Sequence, residues 1–235
     1  MPNSYFTFKQ FTIYHDRCAM KVGTDGVLLG AWAPVDGVRS VLDVGAGTGL
    51  ISLMVVQRNP EANVVAVEID QAAAAQAWEN VQRSPWSDRV EVVCQDFSTF
   101  TSSVPFDLIV SNPPYFVDAL KCPDRQRSTA RHADSLNYDL LFRRSKQLLV
   151  DDGILSLVLP AELESQVIDT AWTHGFWLQH LTHVYSKPGK AFRRSLLSFV
   201  KSYSQISRND LYIASETNEY TAEYKALTGD FYLKL

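Results

Sequence analysis

Asn112-Pro113-Pro114-Tyr115 follows directly on the apolar run Phe106-Asp107-Leu108-Ile109-Val110-Ser111. A buried strand there ends in two hydrogen-bond acceptors and an aromatic ring. The nitrogen of an adenine amino group or of a carboxamide is a poor nucleophile, because its lone pair is delocalised into the adjoining π-system. An asparagine side-chain oxygen and a neighbouring backbone carbonyl can each accept one of its N–H groups, drawing the nitrogen towards tetrahedral geometry as positive charge develops. Asn112 and Pro113 supply those acceptors. Both prolines fix their own φ and push the preceding residue into extended backbone, so the carbonyls are aimed in advance. Tyr115 offers a flat face on which a planar group can stack. Taken alone, Asn-Pro-Pro is also an ordinary strand-ending turn.

A partner for that nucleophile is suggested upstream. Ser40-Val41-Leu42-Asp43-Val44 reads as a buried strand that enters Gly45-Ala46-Gly47-Thr48-Gly49 and then an apolar helical stretch from Leu50 to Gln57. Glycines in such a turn let backbone approach a ligand closely. Their G-x-G-x-G spacing is tighter than the dinucleotide fingerprint G-x-G-x-x-G, which disfavours a nicotinamide cofactor. A second strand, Val64 to Val67, ends in Glu68-Ile69-Asp70, roughly 20 residues after the glycines, where a carboxylate can accept from both hydroxyls of a ribose. Glu68 is the candidate for that role. A third strand, Val90 to Cys94, leads through Gln95 to Asp96-Phe97, placing Asp96 where it can bond an adenine amino group. Each carboxylate alone also fits a helix cap or a solvated loop; their recurrence at successive strand ends favours a shared site.

Leu-Asp-Val-Gly-Ala-Gly-Thr-Gly-Leu, Ala-Val-Glu-Ile-Asp, Gln-Asp-Phe and Asn-Pro-Pro-Tyr, in this order, resemble the class I S-adenosylmethionine-dependent methyltransferases that act on amino groups. The flanks narrow the resemblance. Phe6 to Phe11, Met20 to Trp32, Arg131-His132 and Phe231-Tyr232-Leu233 are similar to the bacterial tRNA1(Val) adenosine-37 N6-methyltransferases. This resemblance implies S-adenosyl-L-methionine as cofactor, with Asp43, Gly45 and Gly47 on its methionine and ribose side, Glu68 on the ribose hydroxyls, and Asp96 with Phe97 on the adenine. It implies that Lys21, Thr24 and Asp25 close the pocket from the N-terminal side and that Asn112 touches the donor as well as the acceptor amine. Lys21 also fits a solvated lysine, and Thr24 the N-cap of a helix from Val27 to Ala33.

The elements that must position these residues alternate between β-branched runs and helical patterns. Helices are expected over Leu50–Gln57, Gln71–Gln82, Tyr138–Leu149 and Glu162–His174, with strands between them. Asp151-Asp152-Gly153 reads as a turn into a strand from Ile154 to Leu159. Trp177–Tyr185 and Arg194–Tyr203 read as a closing antiparallel pair around Lys187-Pro188-Gly189-Lys190. The expected fold is α/β: a seven-stranded, mostly parallel, doubly wound sheet of the class I methyltransferase kind, Rossmann-like. A small N-terminal extension precedes it, with a hairpin over Tyr5–Tyr14. One domain of 235 residues suffices, divided into an extension (1–39), a catalytic core (40–205) and a tail (206–235). In that tail Tyr212, Tyr220, Tyr224, Phe231 and Tyr232 are expected to pack rather than to stack on a ligand.

No stretch approaches the ~20 apolar residues of a membrane span, and Met1 to Phe8 lacks the regions of a signal peptide. Cys18, Cys94 and Cys122 are widely spaced and fit a reducing compartment. A cytoplasmic protein is expected, without membrane or metal partners, and a monomer. His180 and His183 would fall on opposite faces of a strand, against a metal site.

The net charge of −4 conceals an uneven distribution. Lys121–Gln147 holds seven Lys or Arg and three Asp, and His183–Asn209 holds six and no acid, leaving nine cations against 23 acids elsewhere. Phosphate binding answers to the local field rather than to the sum. Arg125, Arg127 and Arg131 lie on a long segment, 116–135, expected to cover the active site; Lys187, Lys190, Arg193 and Arg194 lie on the later hairpin. These seven are the candidate RNA contacts, with a tRNA anticodon loop as partner, since its bases leave their stack at low cost. Other readings are a protein glutamine methyltransferase acting on release factors, which presents an equally planar carboxamide, and a donor-binding module without catalysis.

Overall fold

The computed structural model describes residues 3–18, 20–114 and 137–234. Tyr115, the segment 116–135 with Arg125, Arg127 and Arg131, and His132 and Cys122 lie outside the described residues.

Eight strands form the main sheet, and a separate two-stranded hairpin pairs β1 (Tyr5–Thr7) with β2 (Thr12–Tyr14). β3 (Ser40–Val44), β4 (Asn63–Glu68), β5 (Val90–Cys94), β6 (Phe106–Ser111) and β7 (Leu149–Pro160) run parallel. Beyond β7 come β9 (Arg194–Val200), antiparallel to it, then β8 (Trp177–Tyr185) and β10 (Ser207–Tyr212), giving the order β10-β8-β9-β7-β6-β3-β4-β5. β10 adds one strand to the expected seven: it pairs parallel to β8 through Arg208 and Asp210, whose polar side chains conceal a strand at the sheet edge.

Both faces of the sheet are covered, so its strands read as continuous apolar runs rather than alternating ones. Val41, Leu108, Val110 and Leu196 meet helices α1 (Thr24–Trp32) and α2 (Leu50–Arg58) on one face. Leu42, Ile109, Leu155 and Leu197 meet α4 (Tyr138–Leu148) and α5 (Glu164–Thr173) on the other. Helix α3 (Gln71–Gln82) begins on Asp70, whose side chain accepts from the Ala73 amide. The terminal helix α6 (Ala222–Thr228) and the residues after it bury Tyr224 and Phe231 in the first of these cores, as expected of packing aromatics, while Tyr220 stays exposed. Phe231 also accepts the Lys9 amide at 2.8 Å, joining the tail to the hairpin.

Two local readings are corrected. Asp151-Asp152-Gly153 does not precede β7; it lies within it, where Phe106 faces Leu149 but Leu108 already faces Ile154. The three surplus residues form a bulge. Helix α1 starts at Thr24, three residues earlier than expected, and its N-cap is Gly23 with no side-chain bond, so Thr24 is the first helical residue and not the cap.

Close approach of α1 and α2 depends on Gly30. A Cβ there would meet Met54 Sδ at 2.7 Å and Met54 Cβ at 2.9 Å, and the second of these atoms cannot swing aside. Gly30→Ala is therefore expected to destabilise the fold by about 1–2 kcal/mol in chemical denaturation, overpacking outweighing the helix propensity gained. Unchanged or raised stability would show that the two helices can part freely.

Among the described residues no helix is long and apolar enough to cross a membrane, and no cluster of His, Cys, Asp and Glu could hold a metal ion.

Candidate functional site

The glycine spacing has a conformational cause. Gly45, Gly47 and Gly49 have φ of +72°, +55° and +77°, a left-handed region that other residues enter only with strain. Alternate residues of the turn must therefore be glycine. The turn is pinned at both ends: Gly45 and Ala46 donate to Val67 O at 2.9 and 3.1 Å, and the Gly47 amide donates to Glu68 Oε2 at 2.8 Å. A side chain on Gly47 would meet nothing within 4 Å, so the glycine leaves open space beside the backbone.

Lys21, Asp25, Gly45, Gly47 and Asn112 line one cavity of about 140 Å³, together with Met20 and Thr48 among others. Parallel pairing brings them together, because β3 and β6 are neighbours and end at Val44 and Ser111, with Ser111 Oγ donating to Val44 O at 2.8 Å. That bond seats Asn112 next to the glycine turn. On the other side of Gly45 a narrower cleft of about 30 Å³ is lined by Val44, Val67, Ile69, Gln95, Asp96 and Phe97. Phe97 is buried, and Asp96 is half-buried with Oδ1 accepting from Ser98 at 2.7 Å. A larger open hollow of about 610 Å³ lies by Pro188, Tyr212 and Glu223. It is at the β10 edge, five strands from β3, and has none of the strand-end constellation.

Three expected ligands do not line either cavity. Thr24 is exposed on α1. Glu68 is buried, its Oε1 accepting from Asp70 at 2.9 Å while Oε2 holds Gly47, so it shapes the turn and keeps further lone pairs for a hydroxyl. Asp43 is fully buried. Its Oδ2 accepts from the Ser52 amide and hydroxyl at 3.1 and 2.7 Å, whereas Oδ1 is buried without a partner among the described residues. Burial first, and then the nearby Glu68, push the Asp43 carboxyl up to about 6 against the opposing Ser52 bonds.

Lys187, Lys190 and Arg193 lie on the β8–β9 connection. Because β9 runs against β7, with Arg194 opposite Pro160, this connection reaches the end of the sheet where the parallel strands finish, the same end as the glycine turn. Arg194 itself is bonded to Asp25.

Several contributors escaped the sequence reading. Ser52 stands out as the polar residue in an apolar helix, and Ser111 as the polar end of an apolar strand. Asn80, fully buried on α3, donates to Tyr14 O and Thr48 O at 2.9 Å each and accepts from the Tyr14 amide, tying the hairpin to the turn. No local signal marks Asn80 among the polar residues of its helix.

The residues fit a nucleoside-bearing cationic donor on three counts: the open backbone cradle at Gly47, carboxylates at the ends of β4 and β5, and a buried acid with an unpartnered oxygen.

Comparison with known proteins agrees. Residues 23–175 match the model of the methyltransferase small domain. A protein of Phocaeicola vulgatus is 52% identical over all of both chains, and one of Bacteroides thetaiotaomicron is 50% identical over all of both; each is named tRNA1(Val) (adenine(37)-N6)-methyltransferase. Among solved structures, an Agrobacterium tumefaciens protein described as a predicted O-methyltransferase superimposes with a TM-score of 0.71 at 20% identity, over 88% of this chain and 96% of its own, a likeness of fold. With the strand-end site and full-length identity in agreement, the chain belongs to the methyltransferase small domain family and, within it, groups with the tRNA1(Val) (adenine(37)-N6)-methyltransferases.

Proposed function

We propose that the protein transfers a methyl group from S-adenosyl-L-methionine to the exocyclic N6 of an adenine in RNA, adenosine 37 in the anticodon loop of tRNA1(Val), acting as a cytoplasmic monomer. The observation that carries this reading is the meeting of Asn112 with Gly45 and Gly47 in one cavity. Relatives about 50% identical along the whole chain, named for that reaction, support the choice of base.

S-adenosylmethionine, when bound, supplies an electrophilic methyl on a cationic sulfur. The chain's part is to hold the amine. Asn112 Oδ1 and the Pro113 carbonyl accept its two N–H groups, countering delocalisation as charge builds on nitrogen. Pro113 is buried and Pro114 fixes the backbone beyond it, so these acceptors need no reordering. Tyr115 stacks on the extruded base. The methylated nitrogen is strongly acidic and loses its proton to water, so no dedicated base is required. Glu68 serves the donor ribose, Asp96 and Phe97 its adenine, and Gly45, Gly47, Lys21 and Asp25 the rest of the donor pocket. Lys187, Lys190 and Arg193 supply a field that draws phosphate to this end of the sheet, and Arg125, Arg127 and Arg131, outside the described residues, are further RNA contacts in this reading.

Incubation with labelled donor and separate pools of tRNA, ribosomal RNA and release factor tests the reading. Label in tRNA, mapped by nuclease digestion to N6 of one anticodon-loop adenosine, is expected. Label on release factor alone would replace it with glutamine methylation, and label in no pool would leave a donor-binding module.

A further inference from the structure

Arg194 is one of four cations on the hairpin, and its guanidinium is bonded within the protein. Its Nε donates to Asp25 Oδ2 at 2.8 Å, joining residues 169 apart in the chain, and its Nη1 donates to the Arg193 carbonyl at 2.9 Å. Both side chains are largely sheltered, 33% and 21% exposed. Asp25 lies in the first turn of α1 and lines the cavity that holds Gly45, Gly47 and Asn112. One wall of that cavity comes from Met20 to Gly26. It is held midway by a long bond from the Val22 amide to His15 Nδ1, 3.4 Å, and at its helical end by Arg194.

An exposed pair of flexible side chains gives little net restraint, because ordering both offsets the Coulomb attraction. A planar guanidinium already anchored on a carbonyl and sheltered from water loses less on bonding, so it makes a stiffer strut. The hairpin does not need that side chain for its own shape. The Arg193 amide donates to Val184 O at 2.9 Å and the Ala161 amide donates to Arg193 O at 3.1 Å.

We infer that Arg194 is a positioning residue for the methyl donor: it holds Asp25, and with it the first turn of α1, against the cavity, and so governs donor affinity rather than RNA affinity. The inference rests on the reading of this cavity as the donor's. Without the strut the first turn of α1 loses one of its restraints and the wall at Asp25 is held less firmly, so donor binding weakens. The acceptors at Asn112 and Pro113 lie just beyond the end of β6, and the turnover they set is retained.

The test compares wild type, Arg194→Gln, Arg194→Lys, Asp25→Asn and the double variant Asp25→Asn/Arg194→Gln. Calorimetry gives the Kd for S-adenosylhomocysteine, gel shift the Kd for tRNA, and steady-state assays kcat and the donor KM. Arg194→Gln is expected to raise the S-adenosylhomocysteine Kd and the donor KM about tenfold, with kcat and the tRNA Kd within about twofold. Arg194→Lys recovers only part of the loss, since an ammonium lacks the planar fork that bonds Asp25 and the Arg193 carbonyl together, and the double variant is no worse than the poorer single one, the non-additivity that marks partners in one interaction. Weaker tRNA binding at unchanged donor affinity, additive losses in the double variant, or a joint fall of both affinities with the melting temperature would each overturn the inference. Failure of the wild type to bind S-adenosylhomocysteine would remove the donor reading itself, and the inference with it.

Discussion

Asn112→Ala is expected to slow methyl transfer by about 10²–10³ under single turnover, with donor affinity held within about threefold. The side chain lines the cavity, but what it uniquely offers is an acceptor for an amine hydrogen that becomes more acidic as the reaction proceeds. Its bond is therefore stronger in the transition state than in the ground state, the condition under which a contact changes rate rather than binding. Ser111 Oγ on Val44 O keeps the backbone before residue 112 in place, so the loss falls on the side chain alone. The measurement pairs a quench experiment in excess tRNA with calorimetric titration of S-adenosylhomocysteine. Full transfer rate at normal donor affinity would refute the assignment of Asn112.

Asp43→Asn is expected to stabilise the protein and impair it together. Asp43 is fully buried, and its carboxyl is raised from its ordinary 3.8 to about 6, burial being the chief cause. The folded state thus holds this proton more tightly than the unfolded chain, and above pH 6 the ionised group opposes folding by about 3 kcal/mol. That penalty is relieved as pH falls from about 6 towards 4. Asparagine keeps an oxygen for Ser52 and removes the charge. Its unfolding free energy should exceed the wild type's by up to about 3 kcal/mol at pH 8, with the gap closing between pH 6 and 4. A gap independent of pH, or of opposite sign, would show that the ionised carboxylate is not what strains the site. The same buried charge suits a cationic ligand in surroundings of low dielectric. Asp43→Asn should then weaken S-adenosylmethionine, a sulfonium, more than the uncharged thioether S-adenosylhomocysteine. Equal losses for both would assign Asp43 a steric role only.

Features that depend on neighbouring residues were legible in the sequence. The G-x-G-x-G turn announces itself because each glycine answers a positive φ in its own backbone. Helix α3 runs over Gln71–Gln82 as its helical pattern indicates, and its start has a local cause in the Asp70 cap. What depends on distant partners was not legible. Nothing near Arg194 distinguishes it from Lys190 or Arg193, since its partner Asp25 is brought to it only by the antiparallel return of β9. The strand β10 was hidden for a related reason: an edge strand buries little, so its sequence carries no apolar run. The bulge at Asp151 to Gly153 read as a turn because its residue types are those of a turn, and only the register against β6 reveals a strand passing through them.

The junction of Lys9 with Phe231 carries a consequence in time. The hairpin of β1 and β2 is translated before the carbonyl and the buried ring that complete its packing, which are more than two hundred residues further on. Through Asn80 the same hairpin is tied to Thr48 in the glycine turn. The hairpin that shares Asn80 with the donor's cradle is thus completed only when the tail docks, whereas the cradle's own bonds to Val67 and Glu68 need no part of the tail.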